Sequence, residues 1–267
     1  MSRLLVCPPD FFRIDYEINP WMKRENAVDH MRAVRQWDGL MEALERRVGV
    51  TLERLSPVRG LPDLVFTANA GVVVEGKAVP SRFRHPERQR EQTYFESWFK
   101  DDGFDIHLLH DGVYFEGAGD LLGVPDLCLG GYRKRSDVGA YTQLSELFGQ
   151  EIIPVELVDE RFYHLDTCFC PLSAGEVLYY PHAFDGYARA VIAERLDESR
   201  RLAVPQAEAM RFACNAVCVG RKVALPAGCP QTMALLRDHG YEPISLELDE
   251  FMKAGGSAKC LTLALDA

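Results

Sequence analysis

The sequence lacks an apolar run long enough to cross a bilayer, a secretory h-region near its start and any C-x-x-C pair. A membrane-spanning helix needs about 20 consecutive apolar residues, so the sequence argues against a transmembrane protein. The opening residues MSRLLVCPP predict a first strand rather than a signal peptide. Without an export signal, we expect the eight cysteines to be free thiols in a cytoplasmic protein.

An excess of basic residues is also missing. The 30 Lys and Arg residues are outnumbered by 40 Asp and Glu, which gives a formal net charge of −10. Nucleic-acid-binding domains usually carry a basic surface, so neither nucleic acid nor membrane is an expected partner. The closely spaced cysteines 168, 170, 214 and 218 leave a zinc protein as an alternative. Strands often bury such thiols, and we predict no metal and no cofactor.

The sequence does contain a repeat of strands and amphipathic helices. Helical periodicity covers residues 27–48, 86–101, 136–148, 186–196 and 230–239. A short β-rich run follows each helix, and a hairpin-like pair of strands follows each run, with turns at Gly76, Pro125, Gly175 and Gly220. These turns are 49, 50 and 45 residues apart. The fifth pair joins residues 261–265 to residues 4–7, so the repeat predicts a closed ring of α/β units forming one domain, 1–267.

Polar or reactive side chains precede the hairpins at equivalent places in the repeat. They are Asn69, Glu116, His164 with Asp166, Asn215, and Cys260. Equivalent positions in a ring surround one axis, so the repeat predicts that these groups meet in one cavity. Residues two apart on an extended backbone point to the same side. We therefore expect His164 and Asp166 to share a face, with Leu165 turned away.

A thiol, an imidazole and carboxylates together suggest nucleophilic catalysis on a cation. A cysteine thiolate is a strong nucleophile, and His is the residue that most often moves protons near neutral pH. The acidic residues Asp63, Glu116, Asp120 and Asp166 would suit a guanidinium, whose planar fork of N–H donors matches carboxylates. The alternatives are a buried Cys260 that begins an apolar strand, and an Asp63 that only caps a turn.

Several ordered segments resemble the guanidino-group-modifying enzyme superfamily of arginine deiminases, dimethylarginine dimethylaminohydrolases and amidinotransferases. They are residues 63–69 (DLVFTAN), 115–120 (FEGAGD), 164–167 (HLDT) and 255–260 (GGSAKC). The resemblance covers nearly the whole chain. It implies a pentein-type fold, a pseudo-symmetric five-unit α/β propeller, in agreement with the repeat.

The resemblance also implies a role for each matching residue. Cys260 would attack the guanidinium carbon, and His164, oriented by Glu116, would move protons. Asp63, Asp120 and Asp166 would bind the substrate. Arg135, or Arg133 as the second choice, is the candidate for binding its α-carboxylate. Arg88 matches a second arginine on the substrate side, and Asn19 would touch the substrate from a covering segment.

Asn69 and the segment 8–22 are most similar to the arginine dihydrolase branch, which converts arginine to ornithine, carbon dioxide and two ammonia. Asn both donates and accepts hydrogen bonds, so Asn69 could also hold the neutral ureido group of citrulline. Dimethylarginine hydrolysis, arginine deimination, amidino transfer and a non-catalytic cation-binding paralogue remain as alternatives. The only partner expected is a small-molecule substrate, arginine or a methylated arginine, and the composition is compatible with a homo-oligomer.

Overall fold

The computed structural model describes residues 2–266, and these form five three-stranded sheets. The strands, in chain order, are β1 (Arg3–Val6), β2 (Thr51–Arg54), β3 (Gly71–Val74), β4 (Lys77–Pro80), β5 (Asp105–Ile106), β6 (Leu121–Val124), β7 (Leu127–Tyr132), β8 (Ile153–Glu156), β9 (Phe169–Pro171), β10 (Val177–Tyr179), β11 (Arg201–Ala203), β12 (Val217–Val219), β13 (Lys222–Pro226), β14 (Glu242–Leu246) and β15 (Leu263–Ala264).

All five sheets have the same topology. An antiparallel hairpin, such as β3 and β4, is followed by a third strand that runs parallel to the second, such as β5. The ring is closed by the two ends of the chain, because β1 pairs antiparallel with β15 and parallel with β2. Leu4 lies opposite Ala264 and Leu5 opposite Leu263. The predicted five-unit α/β propeller, including its closure by the first strand, is confirmed.

A helix connects the two parallel strands in each unit, as parallel pairing requires. The helices are α1 (His30–Glu42), α2 (Pro86–Gln89), α3 (Gln92–Asp101), α4 (Val138–Phe148), α5 (Gly186–Arg195), α6 (Gln206–Ala209), α7 (Pro230–Asp238) and α8 (Asp249–Met252). Local sequence explains their starts: Asp29 and Asp185 accept a hydrogen bond from a first-turn N–H, while Pro86 and Pro230 occupy the first turn. The predicted helix 86–101 is two helices, α2 and α3.

The hydrophobic core lies between each sheet and its helix and continues around the ring. Along β1, Leu4 and Val6 pack in the cluster that contains Trp37 and Leu40 of α1, whereas Leu5 packs on the other side with Leu263. This alternation follows from the two-residue period of a strand. None of the helices within residues 2–266 is long and apolar enough to cross a bilayer.

Candidate active site

Tight turns carry the polar residues that precede the hairpins. Thr67–Asn69, Gly117–Gly119 and Leu165–Thr167 are single turns of 3-10 helix. Two of these turns pack so closely that a Cβ on Gly119 would lie 2.5 Å from Nδ2 of Asn69, and one on Gly117 2.7 Å from the oxygen of Gly71. The close approach lets Asn69 Nδ2 donate to the backbone oxygen of Glu116 at 2.9 Å.

The extended backbone expected between His164 and Asp166 is not found. His164 is extended (φ −122°, ψ 153°), but a turn of 3-10 helix starts at Leu165. The cause is Thr167, whose hydroxyl and backbone N–H both donate to the oxygen of His164, at 2.6 and 3.2 Å. The simple alternation of side chains is therefore wrong here, although His164 and Asp166 are both buried near the ring centre.

A cavity of about 10 Å³ brings six of the ten predicted site residues together. This volume is enough for about one water molecule, so the cavity is too small to hold an amino acid. The predicted residues that line it are Asn19, Asp63, Asn69, Arg88, Arg135 and Cys260. Residues from both ends of the chain and from its middle thus meet in one place, as the ring predicts.

The Cys260 thiol lies 3.4 Å from Oδ2 of Asp166 and donates to it. Burial raises the pKa of the thiol, and Asp166 raises it further. Burial also raises the pKa of Asp166, to about 7, although the ammonium of Lys259 opposes this shift. With these neighbours the sulfur is therefore a neutral thiol, and its activation requires a change in its surroundings.

His164, Glu116 and Arg135 form a buried chain of hydrogen bonds next to the cavity. Nε2 of His164 lies 2.8 Å from Oε2 of Glu116, and Nη1 of Arg135 donates to the same oxygen at 3.0 Å. Burial lowers the pKa of His164 to about 4, against the opposing effect of Glu116. Burial alone would raise the pKa of Glu116, but Arg135 and His164 hold it well below its usual range. The pair is therefore an ionised Glu116 and a neutral His164 that carries its proton on Nε2, which leaves Nδ1 free to accept one.

The two cavity-lining arginines are both held by carboxylates. Arg88 donates to both oxygens of Glu91, and its Nη1 donates to Oδ1 of Asn69 at 2.9 Å. Arg135 donates through Nη2 to the backbone oxygen of Ile18 at 2.9 Å, and its guanidinium lies 4.7 Å from the ring centre of Tyr163. The second-choice residue Arg133 lies outside the cavity, where it is exposed and paired with Glu156.

Asp120 lies apart from the cavity, and its position does not support the predicted contact with substrate. Its carboxylate accepts from Leu165 N at 3.0 Å and from the Ser136 hydroxyl at 2.6 Å. One oxygen thus holds a backbone N–H and the other a side-chain hydroxyl of the neighbouring segments. Asn19 does line the cavity, but its amide is already used within the chain, since Oδ1 accepts from Trp21 N and Nδ2 donates to Ala254 O.

Two carboxylate oxygens at this site have no hydrogen-bond partner among residues 2–266. They are Oδ1 of Asp63, which lines the cavity, and Oδ1 of Asp166, the neighbour of the thiol. Burying a carboxylate oxygen without a partner is costly. Burial raises the pKa of Asp63, although Arg88 and the Tyr16 hydroxyl oppose this. Such oxygens are ready acceptors for a ligand that brings N–H donors.

Several residues at the site were not identified from the sequence. Asn215 was noted in the repeat without a role, and its side-chain nitrogen lies 3.0 Å from the sulfur of Cys260. Tyr16 donates to Asp63 from the segment before α1, and Tyr163 lines the cavity. Glu91 follows its partner Arg88 by one helical turn, a spacing that the sequence does display. The Tyr16 contact has no signal in the repeat, because its segment has no counterpart in the other units.

A larger depression, of about 350 Å³, is lined by Cys170, Cys218 and Lys259 among others, and it contains none of the ten predicted residues. Within residues 2–266 no three His, Cys, Asp or Glu side chains are grouped in a way that would hold a metal ion.

A five-unit α/β ring with a cysteine at its central cavity, backed by a His–Glu pair, defines a class of protein: the guanidino-group-modifying superfamily. Residues 11–266 match the family model described as N,N dimethylarginine dimethylhydrolase, eukaryotic. The chain belongs to that family.

Characterised relatives lie in two branches. The chain is 45% identical over 264 residues to the bifunctional arginine dihydrolase/ornithine cyclodeaminase AgrE of Nostoc, covering 98% of this chain and 37% of that protein. It is 38% identical over 264 residues to the N(G),N(G)-dimethylarginine dimethylaminohydrolase of Mycobacterium tuberculosis, with 98% and 85% covered. It therefore spans little more than a third of the bifunctional relative.

A solved structure matches almost completely. The N-terminal domain of the cyanobacterial arginine dihydrolase ArgZ, a cysteine-to-serine variant bound to substrate, has a TM-score of 0.96 and 41% identity. The match covers 100% of this chain and 98% of that one.

Proposed function

We propose that this protein is an arginine dihydrolase. Cys260 attacks the guanidinium carbon of L-arginine and forms a covalent thiouronium intermediate. Two successive hydrolyses give ornithine, carbon dioxide and two ammonia, so the overall reaction consumes one arginine and two waters. Sequence identity to the arginine dihydrolase branch supports this choice within the family.

The pair of unpartnered carboxylate oxygens, Asp63 Oδ1 and Asp166 Oδ1, is the observation that carries the proposal. A guanidinium is cationic and carries five N–H donors when monosubstituted, so it can satisfy both oxygens and neutralise both charges. A neutral or anionic ligand would leave the carboxylates uncompensated. At the other end of the substrate, the α-carboxylate is proposed to meet Arg135 and Arg88, which line the same cavity.

The first half of the reaction requires a proton acceptor for the thiol and a proton donor for the leaving amine. We assign both roles to His164, whose neutral ring has Nδ1 free because Nε2 is hydrogen-bonded to Glu116. The thiol proton passes to His164, the thiolate adds to the guanidinium carbon, and His164 returns the proton to the departing nitrogen, which leaves as ammonia. Such proton transfers typically contribute about 10²–10⁴-fold in rate.

In the second half, neutral His164 takes a proton from water, which attacks the thiouronium carbon. Expulsion of the Cys260 sulfur releases citrulline. A second round at the ureido carbon releases ammonia and a carbamate that loses carbon dioxide to leave ornithine. Asn69 lines the cavity and has a second N–H on Nδ2 beyond the one bonded to Glu116. That N–H is proposed to hold the ureido oxygen of citrulline.

Hydrolysis of N-methylated arginine is the second candidate, because the matching family model carries that activity in its description. It would use the same thiol, histidine and carboxylates and would release a methylated amine and citrulline. The difference lies in the room around the terminal nitrogens once the cavity has opened.

The test is to incubate the purified protein with L-arginine and, separately, with asymmetric dimethylarginine, and to quantify citrulline, ornithine, ammonia and methylamines. The proposal predicts one ornithine and two ammonia per arginine, and no product with Cys260→Ser. Accumulation of citrulline with one ammonia would identify a deiminase, and turnover of dimethylarginine alone would favour the second candidate. Absence of all turnover by a folded protein that binds arginine would identify a non-catalytic paralogue.

A further inference from the structure

The side chain of Asn215 makes four hydrogen bonds around the proposed nucleophile. Its Oδ1 accepts from the backbone N–H of Ser257 at 3.0 Å and of Cys260 at 3.1 Å. Its Nδ2 lies 3.0 Å from the sulfur of Cys260 and 3.0 Å from the backbone oxygen of Asp166. The residue is fully buried. One amide thus joins the turn that contains Asp166, before the third hairpin, to the turn that carries Cys260.

The surroundings fix which end of the amide faces the sulfur. The N–H groups of Ser257 and Cys260 are donors and require an acceptor, so they must meet Oδ1. The carbonyl of Asp166 is an acceptor and requires a donor, so it must meet Nδ2. If the amide were reversed, its NH₂ group would face the N–H groups of Ser257 and Cys260, and its oxygen would face the carbonyl oxygen of Asp166. An N–H of Asn215 is therefore directed at the sulfur.

We propose that Asn215 is a catalytic residue that donates a hydrogen bond to the thiolate of Cys260 while its oxygen holds the nucleophile's backbone in place. This inference rests on the proposed covalent role of Cys260. Without a substrate in the cavity, the thiol donates to Asp166. Once Asp166 binds a guanidinium and the thiol proton has left, the sulfur carries the negative charge, and Nδ2–H of Asn215 remains beside it as a neutral donor. Hydrogen bonds to charged atoms are stronger than those between neutral groups.

The groups around the sulfur also explain why a thiolate there requires a hydrogen-bond donor. Burial and Asp166 both raise the pKa of the thiol, whereas the Ser257 N–H and the Asn215 amide lower it. Asp166 is the carboxylate in contact with the sulfur. Lys259 and Tyr163 are titratable neighbours, and a negative charge on the sulfur raises the pKa of each. The other charged residues around the cavity are Asp63, Arg88 and Arg135. Neither Asp166 nor burial stabilises a thiolate, so a neutral donor at the sulfur has a distinct function.

The test compares Asn215→Ala and Asn215→Asp with the unmodified protein. Asn215→Ala removes all four hydrogen bonds, whereas Asn215→Asp keeps an oxygen for the two backbone N–H groups and replaces the donor at the sulfur by a carboxylate oxygen. The probe is neutral iodoacetamide, with alkylation of the Cys260 peptide followed by mass spectrometry over a pH series. We expect the midpoint for alkylation of Cys260 to rise by about 1–2 pH units in Asn215→Ala and at least as much in Asn215→Asp. The same variants should lose about 10–100-fold in kcat/KM for arginine near neutral pH and recover part of it at alkaline pH.

Thr262→Val is the matched control for a purely structural effect. The Thr262 hydroxyl lies within hydrogen-bonding distance of the Ala258 and Lys259 oxygens in the same turn, and none of its bonds reaches the sulfur. This variant should lower the melting temperature slightly and leave the alkylation midpoint unchanged. Circular dichroism establishes that each variant is folded, and Asn215→Asp serves if Asn215→Ala is not.

The outcomes separate this inference from the proposed function. A midpoint that rises in the Asn215 variants supports the donor role even if the unmodified protein turns over no arginine. An unchanged midpoint in a folded Asn215→Asp variant would overturn the inference while leaving arginine hydrolysis standing.

Discussion

At the scale of single residues, the contacts of each buried carboxyl decide whether it is ionised, because all of them are equally buried. Asp63, Glu116 and Asp166 are all buried carboxyls, yet only Glu116 is held firmly ionised, because Arg135 and His164 contact it. Burial raises the pKa values of Asp63 and Asp166, and each retains an oxygen without a hydrogen-bond partner among residues 2–266. The cavity therefore combines one fixed anion with two that become fully charged when a cation enters.

The raised pKa of Asp166 predicts that kcat/KM decreases on the acidic side of its pH profile. A carboxyl with a pKa of about 7 is protonated below that pH and cannot compensate a guanidinium. Arginine keeps its charge throughout this range, so kcat/KM should fall as the pH drops through about 7. Asp166→Asn should lower the highest value of kcat/KM about 10–100-fold, the value of a hydrogen bond to a charged group. The decrease of kcat/KM at low pH that remains in this variant should come from protonation of Asp63 alone. Steady-state kinetics over a pH series measures both effects.

Asp120→Asn is the matched comparison, since Asp120 is an equally buried carboxyl whose oxygens accept from Leu165 N and the Ser136 hydroxyl, whereas Asp166 contacts the thiol of Cys260. In this variant, kcat/KM should decrease at low pH over the same pH range as in the unmodified protein. A decrease at low pH whose range does not move in Asp166→Asn would contradict the assignment of Asp166 as a ligand of the guanidinium.

The proposed second hydrolysis depends on Asn69. In Asn69→Asp, an acceptor-only carboxylate still favours the cationic guanidinium but loses the donor to a neutral ureido group. We predict that this variant consumes arginine and accumulates citrulline, with ornithine formation reduced by about 10-fold or more, the value of one hydrogen bond. Product analysis by chromatography gives the ratio. Unchanged ornithine output would show that Asn69 does not select the second step.

Some residues could be predicted from the sequence because they occupy equivalent positions in the repeat. Glu116, His164 and Cys260 are far apart in the chain, and the five-unit ring alone is enough to expect them at one centre. The geometry around His164 and Asp166 could not be obtained this way, because the Thr167 hydroxyl turns the backbone into a 3-10 turn. Nor could the contact from Tyr16, which depends on a segment outside the repeat.

At the scale of elements, the segment between β1 and α1, residues 8–29, covers the cavity. It contains no strand and no helix, and loops of this length in compact domains usually have a function. Its contacts include Tyr16 with Asp63, the Ile18 oxygen with Arg135, and the Trp21 indole with the oxygen of Arg161. Because the cavity holds about one water, it must enlarge to admit an amino acid, and we propose that this covering segment is the part that moves.

Trypsin offers a direct measure of that opening. Lys23 and Arg24 are exposed within the covering segment, so cleavage there should be faster in Trp21→Phe, which loses the bond to Arg161. Saturating L-arginine should slow cleavage in Cys260→Ser, where substrate is not consumed. Cleavage after Arg46, which is exposed in the π-helical stretch that continues α1, serves as the internal control and should not respond. Equal cleavage of the segment with and without bound arginine would contradict a covering role.

At the scale of the whole molecule, the chain ends are part of the fold. β1 is the central strand of the closing sheet, between β15 and β2. Cys260 lies three residues before β15, so ring closure and the position of the proposed nucleophile depend on the same sheet. We propose that residues 1–267 unfold as one cooperative domain, since every unit shares its core with its neighbours.

Leu5→Ala tests this coupling. Leu5 is fully buried in β1 opposite Leu263, and the loss of its side chain should lower the free energy of unfolding by about 2–5 kcal/mol. Denaturation followed by circular dichroism and by tryptophan fluorescence should show a single coincident transition. Met31→Ala, at an exposed position of α1, should change stability by less than about 0.5 kcal/mol. Two separate transitions would show that the ring is divided into independent parts.

The most direct test of the account is whether arginine becomes covalently attached to Cys260. Acid quenching during turnover, followed by peptide mass spectrometry, should find the Cys260 peptide heavier by the mass of arginine minus ammonia. The other seven cysteines should be unmodified, and Cys260→Ser should carry no adduct. Turnover of arginine without any such adduct under conditions that trap intermediates, or an adduct on another cysteine, would contradict the central claim.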